Sequence, residues 1–107
     1  MAAYYKNAKV DLTTTSATTL YTAPAATTAI FKSLLVADDS GSTSTITVTI
    51  TDAAAAVFVV YNVKATAANG TLELLTQPLV VQESEILKVT AANANRLHVV
   101  GSFLEVT

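Results

Sequence analysis

The stretch Ser44-Thr45-Ile46-Thr47-Val48-Thr49-Ile50-Thr51-Asp52 alternates apolar and hydroxyl-bearing side chains in strict period two. On an extended backbone Ile46, Val48 and Ile50 fall on one side, and Thr45, Thr47, Thr49 and Thr51 on the other. β-Branched alternation of this kind fits a half-buried strand, whereas a helix would scatter the same residues around its circumference. The stretch is also uncharged and free of Pro between its ends, so it can pair with copies of itself. Asp38, Asp39 and Asp52 flank it as charged gatekeepers. The fold must hold this strand inside a sheet and bury its Ile/Val side.

The same reading predicts strands over 18–22, 29–37, 57–64, 71–75, 79–81, 85–91 and 97–106, with turn signals between them. Pro24 and Pro78 lack an amide donor and mark strand ends, and Asp38-Asp39-Ser40-Gly41-Ser42 is a turn. Ala67-Ala68-Asn69-Gly70 is expected to close a hairpin. The strands over 29–37 and 57–64 are apolar on both sides. Either a bulge switches faces midway, or a neighbouring subunit covers the second face. No helix-length period appears; Ala53–Ala56 is too short for a stable helix. The expectation is therefore an all-β, single-domain antiparallel β-sandwich of seven to eight strands, jelly-roll-like or Greek-key, over residues 18–107. Residues 1–17 lack periodicity. They read either as a frayed terminus or as an N-terminal arm anchored on a neighbour through Tyr4 and Tyr5.

Composition changes the picture in one respect. Only 13% of the 107 residues are charged, against about a quarter in an ordinary soluble domain. A surface made of Thr, Ser, Ala and Asn is poorly protected against association, which points to cover by other chains. The formal net charge of −2, with lysines dispersed, argues against a phosphate-binding footprint, so no nucleic acid is expected as partner. The absence of Cys removes disulfides, thiolate chemistry and Cys-based metal sites. Met1–Val10 has two lysines and no apolar run, unlike a secretory signal, and no apolar run is long enough to span a bilayer. No membrane partner is expected.

Candidate chemistry is thin. His98 is the only histidine; it sits mid-strand with no nucleophile-elbow motif, and a sheet-face or interface histidine is the better reading. Glu83 and Glu85 lie in a turn rather than across a cleft. The three glycines, Gly41, Gly70 and Gly101, make no phosphate loop. The Asp38–Ser42 turn lacks the alternating oxygens and terminal Glu of a calcium loop. The threonine row is a single row, not the repeated array an ice-binding surface needs. The expectation is a protein that is not an enzyme and needs no cofactor, metal or small-molecule substrate.

Leu20-Tyr21-Thr22-Ala23-Pro24-Ala25-Ala26-Thr27-Thr28-Ala29-Ile30 opens a pattern that continues through Val36–Ser42 into the Ile/Val/Thr strand ending at Thr51-Asp52. It resumes in Ala68-Asn69-Gly70-Thr71-Leu72-Glu73-Leu74, Leu79-Val80-Val81 and Ile86–Ala91. Over residues 20–107 the chain resembles small virion structural proteins of tailed double-stranded DNA bacteriophages. Among these it is most similar to capsid cement, or decoration, proteins, some of which are jelly-roll trimers. The resemblance implies a homotrimer, made in the host cytoplasm, on the capsid exterior of the virion. There it would bridge neighbouring major capsid protein subunits. It brings no catalytic or ligand residue. Expected interface residues are Tyr4, Tyr5, Lys6 and Lys9 in the arm, and Phe31, Leu35, Phe58, Val100 and Leu104 on strand faces. The alternative is a phage neck, tail or fibre component with a carbohydrate- or receptor-binding β-sandwich.

Overall fold

The computed structural model describes residues 2–107. It contains nine strands: β1 (Ala3–Leu12), β2 (Thr18–Thr22), β3 (Thr28–Asp38), β4 (Ser44–Thr51), β5 (Val57–Thr66), β6 (Thr71–Glu73), β7 (Leu79–Val81), β8 (Ile86–Ala91) and β9 (Leu97–Val106). They form two antiparallel sheets packed as a sandwich. One has the order β1-β9-β3 with β7 and β6 end to end along the far edge of β3; the other has the order β2-β8-β4-β5. Each connection passes from one sheet to the other except the β4–β5 hairpin and the β6–β7 link, which is the strand order of a jelly roll.

The Ile/Val/Thr stretch is β4, and it lies inside its sheet between β8 and β5. Ile46 and Val48 are fully buried, with Ile50 packed against the core beside them. Leu87 and Val89 of β8, Leu34 and Val36 of β3, and Leu97 and Val99 of β9 complete the same core at no measurable exposure. Each such side chain contributes about 1.5–3 kcal/mol by leaving water, which is what makes the alternation decisive for register.

Two expectations change and an open alternative is decided. Residues 3–12, read as an arm, form β1, paired with β9 at ten successive positions from Ala3↔Val106 to Leu12↔Leu97. The count is therefore nine strands rather than seven or eight. No apolar alternation marks β1, because Lys6 interrupts the inner row, where it is engaged by Glu105, and Asn7 stands on the outer one. Second, the Ala67–Gly70 turn forms as expected, with Asn69 in the left-handed region (φ 54°) and the Gly70 N–H donating to the Ala67 carbonyl at 3.0 Å. It closes no hairpin: β5 and β6 lie in different sheets, so the turn carries the chain across the sandwich.

The open alternative concerns β3, where the two-sided apolar pattern resolves as a bulge. The β3–β9 register shifts between Phe31 and Ser33. Ala29 and Phe31 face inward before the bulge, and Leu34 and Val36 after it. On the opposite edge of β3, in the gap between its pairings with β7 and β6, Glu73 collects N–H groups that lie off the ladder. Its carboxylate accepts from the Leu34 N–H at 2.7 Å, the Leu75 N–H at 3.2 Å and the Ser33 hydroxyl. Burial alone would raise this carboxyl, but those donors outweigh it and hold Glu73 below the usual carboxylate range.

Candidate interaction surface

The five-stranded sheet turns one face to the core and the other outward. Along β9, Leu97, Val99, Gly101, Phe103 and Glu105 are buried, while His98, Val100 and Ser102 alternate with them on the exposed side. Register then aligns side chains across strands. Val80 of β7 pairs with Ile30 of β3, Ile30 with Leu104 of β9, and Leu104 with Tyr5 of β1. The result is an apolar row four strands wide. A second row runs Leu35–Val100–Lys9, and a third Ala37–His98–Asp11. A polar row, Ser33–Ser102–Asn7, runs between the first two, and Glu73 pairs with Leu35 at the end of the second. Tyr5 is 77% exposed, Val80 46% and Leu35 38%, so the first row, with Leu35 and Val100, is the apolar part of this face that meets water. Lys32, thrown outward at the bulge, places its ammonium 5.8 Å from the Tyr5 ring centroid.

The third row ends in a charged group. His98 Nε2 lies 3.2 Å from Asp11 Oδ1, and its Nδ1 lies 3.7 Å from Asp39 Oδ2. The carboxylates occupy opposite nitrogens of one ring, so they cannot converge on a single ion. Among the described residues no cluster of three His, Cys, Asp or Glu could hold a metal. A catalytic triad would need one of those nitrogens on a hydroxyl.

Beneath the apolar face, a buried polar group ties the sheets together. Glu105 is 7% exposed. Its Oε1 accepts from Lys6 Nζ at 2.7 Å and its Oε2 from the Tyr21 hydroxyl at 2.6 Å. These two bonds, the Lys6 one foremost, keep the Glu105 carboxyl below its usual range against the burial that would raise it. Burial, followed by the Glu105 bond and charge, pushes the Tyr21 phenol up. The Tyr21 ring stands edge-on to Phe31 at 5.5 Å between centroids, and Phe31 stacks on Phe103 at 4.6 Å.

The expected interface residues separate into several groups. Tyr5, Lys9, Leu35, Val100 and Leu104 share the outer face of the five-stranded sheet. Tyr4, 56% exposed, is on β1 but on its opposite face, as is Lys6, which is engaged with Glu105. Phe58 is 57% exposed on β5, in the other sheet. Phe31 is corrected: it is fully buried, because the bulge places it in phase with Leu34 and Val36 rather than with Leu35. Sequence reasoning missed Ile30 and Val80 as members of the row, and Glu105 as a buried acid. The alternation Leu97, Val99, Gly101, Phe103, Glu105 was the signal for the last; the row needed the register. No protein-family model matches the chain, and the search of curated proteins finds no match.

Proposed function

We propose that this chain is a non-enzymatic structural protein of a tailed-phage virion, a homotrimeric cement protein bound to the outer capsid surface, where it bridges neighbouring major capsid protein subunits. The reading rests on the resemblance over residues 20–107 and is supported by one observation above all. The row Val80–Ile30–Leu104–Tyr5 gives a jelly roll with few charges an exposed apolar stripe suited to a partner. Three copies in one assembly would each contribute a weak contact and bind together by effective concentration. The alternative, a carbohydrate-binding module of a neck, tail or fibre, would use a platform of neighbouring aromatic rings. Tyr4 and Tyr5 instead point to opposite faces of β1, and Tyr61 is half-buried.

Two measurements test the proposal. Native mass spectrometry of the purified protein should give a trimer or a pair of trimers, and a stable monomer or a lone dimer would remove that part. Immunogold labelling of particles from cells producing this chain should decorate the heads, and label confined to necks, tails or fibres would favour the alternative. L104K and Y5E, both on the exposed row, should reduce head binding at least tenfold with the fold intact. Deleting residues 1–12 would not serve, because it removes β1 and the buried Leu12.

A further inference from the structure

Five strands make the four edges of the sandwich, and three of those edges are blunted. β1 carries Lys6, Lys9 and Asp11; β2 has five residues and a register shift; β6 and β7 have three residues each with Pro78 between them. Short strands, charges and Pro are the usual protection of a sheet edge. β5 is different. It is ten residues long, and Val57–Val63 contains no charge, Gly or Pro. Val57, Phe58, Val59 and Val63 are 61%, 57%, 58% and 59% exposed. Register shifts at Val60 and around Asn62–Val63 bend the later part, so the straight, pairable segment is Val57–Val59.

We propose that β5 pairs antiparallel with β5 of a second copy about a twofold axis at Phe58. Charge placement selects this occupant and this direction. Along the sheet Asp52 lies two positions beyond Phe58, opposite Ala56 across the β4–β5 turn, and Lys64 lies four positions to the other side, opposite Ile46, with no charge in the sequence between them. Asp52 is held at the strand entry by accepting from the Ala54 and Ala56 N–H groups, both at 2.9 Å. An antiparallel twofold pair brings the Lys64 end of each copy to the Asp52 end of the other, twice over, whereas a parallel pair sets like against like. Val57 of each copy then lies opposite Val59 of the other on the outer face, and the two Phe58 rings meet at the axis. The contact is isologous, so it closes at two copies, and the bulges beyond Val59 stop the ladder from lengthening. It is independent of the virion reading, since single chains or trimers can pair in this way.

The chain has no cysteine, so one introduced thiol reports on one contact. Under mild oxidation F58C should cross-link into a disulfide pair, while V100C, exposed on the other sheet, should not. Mixed V57C and V59C proteins should cross-link faster than either does alone. Sedimentation of the wild type should show even-numbered species, a dimer or a pair of trimers, and V59K should raise the dissociation constant at least tenfold with an unchanged circular dichroism spectrum. Wild-type protein found only as monomer or only as single trimer would overturn the proposal, as would F58C cross-linking no faster than V100C. Neither readout involves a capsid, so failure here leaves the head-labelling test standing.

Discussion

The Tyr21 hydroxyl donates to the Glu105 carboxylate at 2.6 Å, joining β2 of one sheet to β9 of the other through the core. Lys6 takes the second carboxylate oxygen, so three strands meet on one buried acid. Y21F keeps the ring against Phe31 and Phe103 but removes this donor. Hydrogen bonds to charged groups contribute about 1.5–3 kcal/mol. Urea unfolding of Y21F should show a loss of that order with an unchanged m-value.

Acid should destabilise the fold through a small set of carboxylates. The Ser40 N–H foremost, with the Ser40 and Thr66 hydroxyls, holds Asp38 below the usual range, and Glu105 and Glu73 are depressed as described. Each binds its proton less readily folded than unfolded. Their stabilisation is therefore complete above the unfolded carboxylate range, about pH 4–4.5, and is lost as pH falls through the lower folded values. The melting temperature should be flat from neutrality to about pH 5 and fall below about pH 4. E105Q should start lower and fall less.

Gly101 and Gly41 should respond to alanine for different reasons. A Cβ on Gly101 would lie 2.6 Å from Phe31 Cε2 and 3.0 Å from its Cδ2, and that ring is already stacked on Phe103. G101A should cost about 1–3 kcal/mol by overpacking. A Cβ on Gly41 would make only ordinary contact with Asn69 Nδ2 at 3.9 Å, but the residue sits at φ +78°; G41A should cost about 1 kcal/mol through backbone strain alone. Thermal melts of the two variants, with near-ultraviolet circular dichroism reporting the aromatic core, should separate the causes.

Thr51 places its hydroxyl in a buried position with no hydrogen-bond partner. T51V keeps the β-branched shape and removes the unsatisfied group, so it should stabilise by about 1 kcal/mol. An unfolding midpoint at or below that of the wild type would contradict this.

E73A should cost about 1–3 kcal/mol, because the N–H groups of Leu34 on β3 and Leu75 after β6 lose their acceptor. Amide exchange at Leu34 should accelerate in this variant, localising the effect to the β3–β6 edge.

Period-two alternation was sufficient to place β4, β8 and β9 and to assign their inward sides, because burial of Ile46, Val48, Leu87, Val89, Leu97 and Val99 leaves no other register. It could not assign β1, whose inner row mixes Lys6 with Ala8, Val10 and Leu12; the partner Glu105 that makes an inward lysine tolerable is 99 residues away in the chain. Nor could it assign Phe31 or the Asn69-Gly70 turn. A bulge changes side-chain phase without any composition signal, and a turn specifies a local reversal but not which sheet receives the next strand. The candidate surface follows the same division. Leu35, Val100 and Leu104 were legible as outward residues, whereas the row that joins Val80, Ile30 and Leu104 to Tyr5 exists only through pairing between distant strands. Local side-chain chemistry determined where strands form and which side they bury; long-range hydrogen bonding between strands decided which residues became neighbours.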